Sequence, residues 1–150
     1  MRRTLTFIAP RQVEIREEPL PPLGAEDVLV QTVCSAISAG SELLIYRGQF
    51  PRELADSHDA LSSGLKYPLA YGYACVGRVI EAGLHVDREW VGRFVFSFQP
   101  HTTHFIARPE ALFLVPEGLA PEAACFLPNM ETAVNLVQDA APILGEHVLV

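Results

Sequence analysis

The sequence predicts a mainly β domain that gives way, near its end, to the start of an α/β unit. Three observations carry this. Up to residue 115 the apolar residues fall in short runs, some alternating with charged ones and most punctuated by proline or glycine. Between residues 121 and 141 the spacing becomes helical. At 145–150, Gly-Glu-His-Val-Leu-Val, a glycine turn leads back into a strand-like run. With 49% apolar and 19% charged residues in 150, the chain can bury a sizeable core.

The elements follow in order. Residues 4–9 and 13–18 read as two strands about a Pro10-Arg11 turn. In the second, Val13 and Ile15 alternate with Glu14 and Arg16, so one face is wet. Pro19, Pro21 and Pro22 force an extended connection. Residues 27–36 form a longer, more buried strand. Gly40 and Gly48 bracket an apolar stretch, 43–46, that fits one or two helical turns on the rim of a site. Residues 52–64 are polar and aperiodic and read as a surface excursion. A strand is expected over 71–82, where Gly72 and Gly77 mark a bulge or a close backbone approach. Further strands are expected at 94–96, 103–107 and 112–115. Pro121 and Glu122 open a helix, and Pro128 interrupts it. A second helix over 130–140 presents Ala133, Val134, Val137 and Ala141 on one face, and Pro142 and Gly145 stop it. The last strand begins at His147.

Bulk properties exclude several classes. A net charge of -7 repels phosphate backbones, so no nucleic-acid partner is expected. No apolar run approaches the roughly 20 residues a membrane span needs, so no membrane partner is expected either. Met1-Arg2-Arg3 is not followed by a long apolar segment, so no signal peptide is read. Cys34, Cys75 and Cys125 are odd in number, far apart and set in apolar sequence, which reads as reduced thiols of a cytoplasmic protein.

Four stretches, in this order and spacing, resemble the N-terminal half of the medium-chain dehydrogenase/reductases, the zinc-type alcohol dehydrogenase superfamily. They are EEPLPPLGAEDVLVQTVCSAIS at 17–38, YPLAYGYACVGRVIEAG at 67–83, VGRFVFSFQPHTTHFIARPEALFLVPEGLAPEAACFLP at 91–128 and ETAVNLVQDAAPILGEHVLV at 131–150. The resemblance implies a GroES-like β-barrel with C-terminal linker helices and the first strand of a truncated Rossmann domain. It places a GroES-like substrate-side domain at 1–128, and the linker helix and start of a dinucleotide-binding domain at 129–150. SAISAGSE at 35–42 and FLPNMETA at 126–133 add a looser similarity to bacteriochlorophyllide-type dehydrogenases.

The departures carry as much as the match. Zinc-dependent relatives have a cysteine ligand where Ser38 stands, a Gly-His-Glu where this chain has Gly72-Tyr73-Ala74, and a third ligand near Pro128. Serine, tyrosine and proline do not make a tetrahedral zinc site, so the resemblance points to a zinc-free branch with no metal. A shared metal at His101 and His104 is not expected, because residues three apart on a strand face opposite sides.

Candidate residues follow, each beside its plainer reading. Tyr73 and Ser38 are the catalytic candidates, hydroxyls able to donate to a carbonyl oxygen; Tyr73 also reads as barrel filling. Ser41, Glu42, His101 and Asn129 are candidate substrate-binding residues. For Ser41 the plainer reading, a helix cap, is the favoured one, and for His101 it is a surface histidine. Thr132 matches a threonine that lies beside the nicotinamide in relatives, and is the cofactor-binding candidate.

A dinucleotide site needs Gly-x-Gly-x-x-Gly between a strand and a helix. The chain has none, and Gly72–Gly77 lacks the middle glycine. The expectation is therefore an NAD(P)-dependent oxidoreductase whose parent binds NADP or NAD, acting on an alcohol, a carbonyl or an activated alkene. The 150 residues by themselves are expected to be inactive and to need a missing Rossmann domain or partner chain. The expected substrate is a small molecule, and an unpaired terminal strand implies homo-oligomer formation or a loose tail. The alternative is a non-catalytic GroES-like binding or assembly module.

Overall fold

The computed structural model describes residues 1–50 and 66–140. The expected excursion at 52–64, the helix stop at Pro142 and Gly145, and the terminal strand from His147 lie outside the described residues. Among the described residues no helix is long and apolar enough to cross a membrane.

Strand β1 (Arg2–Ala9) pairs antiparallel with β2 (Gln12–Glu18), Arg2 opposite Glu18 and Phe7 opposite Val13. The alternation in β2 does not leave a covered apolar face: Val13 and Ile15 are exposed like Glu14, so both faces of this edge strand are open. On its other side β1 meets β4 (Leu69–Ala70), giving a three-stranded sheet ordered β2-β1-β4. The larger sheet is also antiparallel. It runs β7-β3-β5-β6-β8, where β3 is Val28–Ser35, β5 Cys75–Ala82, β6 Phe94–Ser97, β7 His104–Ala107 and β8 Phe113–Leu114. A bridge between Thr4 and Thr102 joins the two sheets. This is the mainly β, GroES-like architecture that the resemblance implies.

Three clusters fill the interior. Val28, Val30, Cys75, Val79, Val95, Phe105 and Leu112 form the first. Ala74, Val76, Phe96, Ala124 and Cys125 form the second, and Phe7, Ile45 and Tyr71 the third. The period-2 alternation of a strand explains why one element feeds two clusters: on β5, Cys75 and Val79 face one, Val76 the other. Tyr73 packs against the second and the third, edge-on to Tyr71 at a ring separation of 6.3 Å.

Two boundaries differ from the sequence expectation. The strand expected from residue 71 starts at Cys75, because Gly72, at φ +142, breaks the extended run. The helical region is two helices, α2 (Pro121–Ala124) and a longer one starting at Leu127 rather than Met130. Pro128 does not interrupt that helix. It sits in its first turn, where a missing N–H costs nothing. The helix runs to Asp139 with every residue but Pro128 exposed, including Met130, Val134 and Val137 of its apolar stripe. We number it α3, α1 being Ser41–Arg47, which ends on Gly48 in the left-handed conformation at φ 69.

At Gly77, β5 runs tight against β3. A Cβ there would lie 2.4 Å from Val30 Cγ1 and 2.7 Å from the Gln31 carbonyl oxygen. The β3–β5 register shifts between Thr32 and Cys34, beside this contact. Gly77→Ala should therefore destabilise the fold by about 1–3 kcal/mol, the usual cost of overpacking. Denaturant unfolding measures it, and an unchanged midpoint would contradict this packing.

Candidate functional site

Ser35 is the last residue of β3, paired with Cys75. Beyond it the chain turns through Ser38 and Gly40 into α1, whose first turn carries Glu42. Ser38 shapes that turn twice over. Its backbone N–H donates to Glu42 Oε1 at 2.9 Å, and its Oγ accepts from the Ser41 N–H at 3.3 Å. Gly40, not Ser41, is the N-cap, so the free amide of the helix start is satisfied from Ser38 instead.

Glu42 is 4% exposed, an ionisable group inside the fold. Such a group needs partners for both oxygens. Oε1 has the Ser38 amide, and Oε2 lies 2.8 Å from His101 Nε2. His101 is not a surface residue: its side chain is only 11% exposed. It stands in the loop between β6 and β7, held by its backbone on both sides. Its carbonyl accepts from Leu5 N–H at 2.9 Å, and its N–H donates to the Tyr71 carbonyl at 3.5 Å. The other ring nitrogen, Nδ1, lies 2.7 Å from Ser35 Oγ. Gly72 makes room for the ring: a Cβ there would lie 3.1 Å from His101 N and 3.2 Å from Cδ2 and Nε2.

The structure thus assembles Ser38, Glu42 and His101 and adds Ser35, which the sequence reading left out. Ser35 lay inside a predicted strand with nothing in its spacing to single it out. Tyr73 is half-buried between two core clusters, beside Gly72 in sequence. Asn129 and Thr132 belong to α3 and are exposed. The Thr132 hydroxyl donates back to the Pro128 carbonyl at 3.0 Å, a bond internal to the helix.

At the positions where the resemblance places zinc ligands, the chain carries Ser38, Tyr73 and Pro128. Among the described residues no group of three or more His, Cys, Asp or Glu stands close enough together to hold a metal ion. His104 has a separate partner, with Nδ1 3.1 Å from Thr103 Oγ1.

The thiols gather near the end of β3. Cys34 Sγ lies 3.5 Å from Cys125 Sγ, tying β3 to the end of α2, and Cys75 Sγ lies 3.4 Å from Thr32 Oγ1. Burial, and then the Cys125 hydrogen bond, push the Cys34 thiol from 9.0 up to about 12. Burial also raises Cys75 and Cys125. Along α2 and α3 an apolar cavity of about 420 Å³ is lined by Phe96, Phe113, Leu119, Ala124, Leu127 and Met130.

No family model matches the chain. Over 83 residues, 55% of its length, it is 34% identical to the 2-desacetyl-2-hydroxyethyl bacteriochlorophyllide A dehydrogenase of Cereibacter sphaeroides, matching 23% of that protein. Among solved structures, an alcohol dehydrogenase of Escherichia coli CFT073 in complex with NADH superposes with a TM-score of 0.72 at 19% identity, covering 94% of this chain and 46% of that one. The quinone oxidoreductase of Coxiella burnetii superposes with a TM-score of 0.67 at 19% identity, covering 93% and 45%. The chain therefore spans less than half the length of these proteins, and it shares their fold. That fold is the one found in medium-chain dehydrogenase/reductases.

The thiol cluster sets a pH dependence. A thiol whose pKa is raised by folding stabilises the fold fully below its unfolded pKa. That contribution is lost as pH rises through the folded value. For Cys34 the window runs from 9.0 to about 12. Thermal unfolding midpoints should fall across it, and Cys34→Ala should flatten the fall. A midpoint that rises with pH would contradict the assignment.

Proposed function

We propose that the chain is the substrate-side part of an NAD(P)-dependent oxidoreductase that works without catalytic zinc on a carbonyl or alcohol, or on an activated alkene. The observation that carries the reading is the 34% identity to a dehydrogenase over 83 residues, on a fold shared with dehydrogenases and quinone reductases. The hydride would come from the nicotinamide when it is bound. The described residues include no strand, glycine-rich turn and helix that could cradle a pyrophosphate, so they do not fit the whole cofactor and no step through it is derived.

In this reading the chain's own residues shape and polarise the substrate. Tyr73 and Ser38 are proposed to donate to the substrate oxygen. Ser41, Glu42, His101 and Asn129 are proposed to line its path, Glu42 acting through His101 because it is buried. Thr132 on the exposed α3 is proposed as the contact to the nicotinamide. Zinc independence rests on the replacement of all three ligand positions by Ser38, Tyr73 and Pro128. The rest of the cofactor site is proposed to come from a Rossmann domain or a partner chain, and the protein to be cytoplasmic.

The test is turnover by the protein in its natural length. NADH and NADPH oxidation should be followed against carbonyls, quinones and enones, with o-phenanthroline present. The expected result is turnover insensitive to the chelator, lowered roughly 10²-fold in Tyr73→Phe. Chelator-sensitive turnover would remove the zinc-free reading. Residues 1–150 alone should not bind NADPH at micromolar concentration, and binding there would refute the division of labour.

A further inference from the structure

We propose that Glu42, His101 and Ser35 form a proton-transfer array that ends in an activated Ser35 hydroxyl, facing the electrophilic carbon or the oxygen of a carbonyl compound. The inference deepens the redox reading, because it selects carbonyl compounds as the substrate class. Its test does not depend on that reading.

The polarity of the array follows from its donors and acceptors. An ionised carboxylate only accepts hydrogen bonds. Glu42 Oε1 already accepts from the Ser38 amide, at 2.9 Å. At 2.8 Å from Oε2, His101 Nε2 must carry the proton of that contact. In a neutral imidazole the other nitrogen is then an acceptor. Nδ1 lies 2.7 Å from Ser35 Oγ, so the serine hydroxyl donates to it. The Ser35 proton therefore points at a base, and the base is oriented by a buried anion. That is the nucleophile–base–orienter relation, with both contacts inside the 2.6–3.2 Å reach such chemistry needs. The nitrogens are used in the reverse sense from the familiar serine triad, and roles rather than atom names define the arrangement.

The surroundings keep the array rigid. The His101 backbone is bonded to Leu5 and Tyr71, and Gly72 leaves no spare volume beside the ring. Ser35 is half-buried where Glu42 is buried, so the open end of the array is the serine. Towards a carbonyl being reduced by hydride from a bound nicotinamide, the array would work from its other charge state, with both His101 ring nitrogens protonated: Ser35 Oγ–H gives its proton to the substrate oxygen and takes one from His101 Nδ1–H, which leaves the neutral imidazole. Towards an activated ester, Ser35 Oγ bonds to the acyl carbon as His101 Nδ1 takes its proton. The ester C–O bond then breaks, and His101 returns the proton to the departing oxygen. Neither proton movement needs an oxidant or a metal.

The probe is p-nitrophenyl acetate, with release of p-nitrophenol followed optically and the acetylated residue located by mass spectrometry. We expect one acetyl group on Ser35, none there in Ser35→Ala, and roughly 10²-fold slower labelling in His101→Gln. Glu42→Gln is nearly isosteric and keeps the helix turn packed, so it guards against loss of folding. With an unchanged thermal midpoint it should still slow labelling about 10-fold or more. Acetylation elsewhere only, or labelling of Ser35 at equal rates in wild type and both variants, overturns the array. If no nicotinamide is oxidised with any carbonyl, the redox reading fails while the labelling still decides whether Ser35 is activated.

Discussion

The buried carboxylate of Glu42 is the constraint around which the site is arranged. A charge with 4% exposure is tolerated only when hydrogen bonds replace the water it has lost. Here they come from two places far apart in sequence, the Ser38 amide four residues before it and the His101 ring fifty-nine residues after it. The pair therefore fixes more than itself. It sets the entry into α1, it holds the loop between β6 and β7 against that helix, and through the ring it reaches the end of β3. A polar network of this kind stabilises only when all its members are satisfied. Among the described residues no buried side-chain nitrogen or oxygen lacks a partner.

The barrel supplies the frame for that network. β3 and β5 lie so close that a Cβ at Gly77 would run into Val30. Their adjacent ends carry Ser35 and Cys75. The same strand end connects to the thiol cluster, where Cys34 and Cys125 meet across 3.5 Å and attach α2 to the barrel. The hydroxyl site and the helical extension are thus anchored to neighbouring residues of one strand. A displacement of β3 would be felt at both.

The helix that follows behaves differently. α3 carries an apolar stripe with Met130 59%, Val134 45% and Val137 53% exposed. Helices draw most of their stability from packing such a stripe, not from their intrinsic propensity. An uncovered stripe beside an apolar cavity of about 420 Å³ is a surface built for contact.

How much was legible in the sequence can be judged residue by residue. The strands of both sheets other than β4, the short helix between Gly40 and Gly48 and the helical tail followed from local rules: strand-like apolar runs, proline and glycine punctuation, and the change of period after Pro121; the two residues of β4 are too few to show a period. The start of β5 was misplaced by four residues, since only the tertiary fold shows that Gly72 must turn to clear His101. Pro128 was misread because its effect depends on its position within a helix, which local pattern fixes only to within a few residues. Ser38, Glu42 and His101 could be named as candidates, but not joined. Ser35 could not be named at all. Periodicity reports where apolar residues fall along an element, and so the sequence by itself determined the mainly β class and the switch to helix after Pro121. Which polar groups meet depends on residues brought together from 35, 42 and 101, and only the packing of β3, α1 and the loop before β7 decided that a buried acid, an imidazole and a hydroxyl would stand in line.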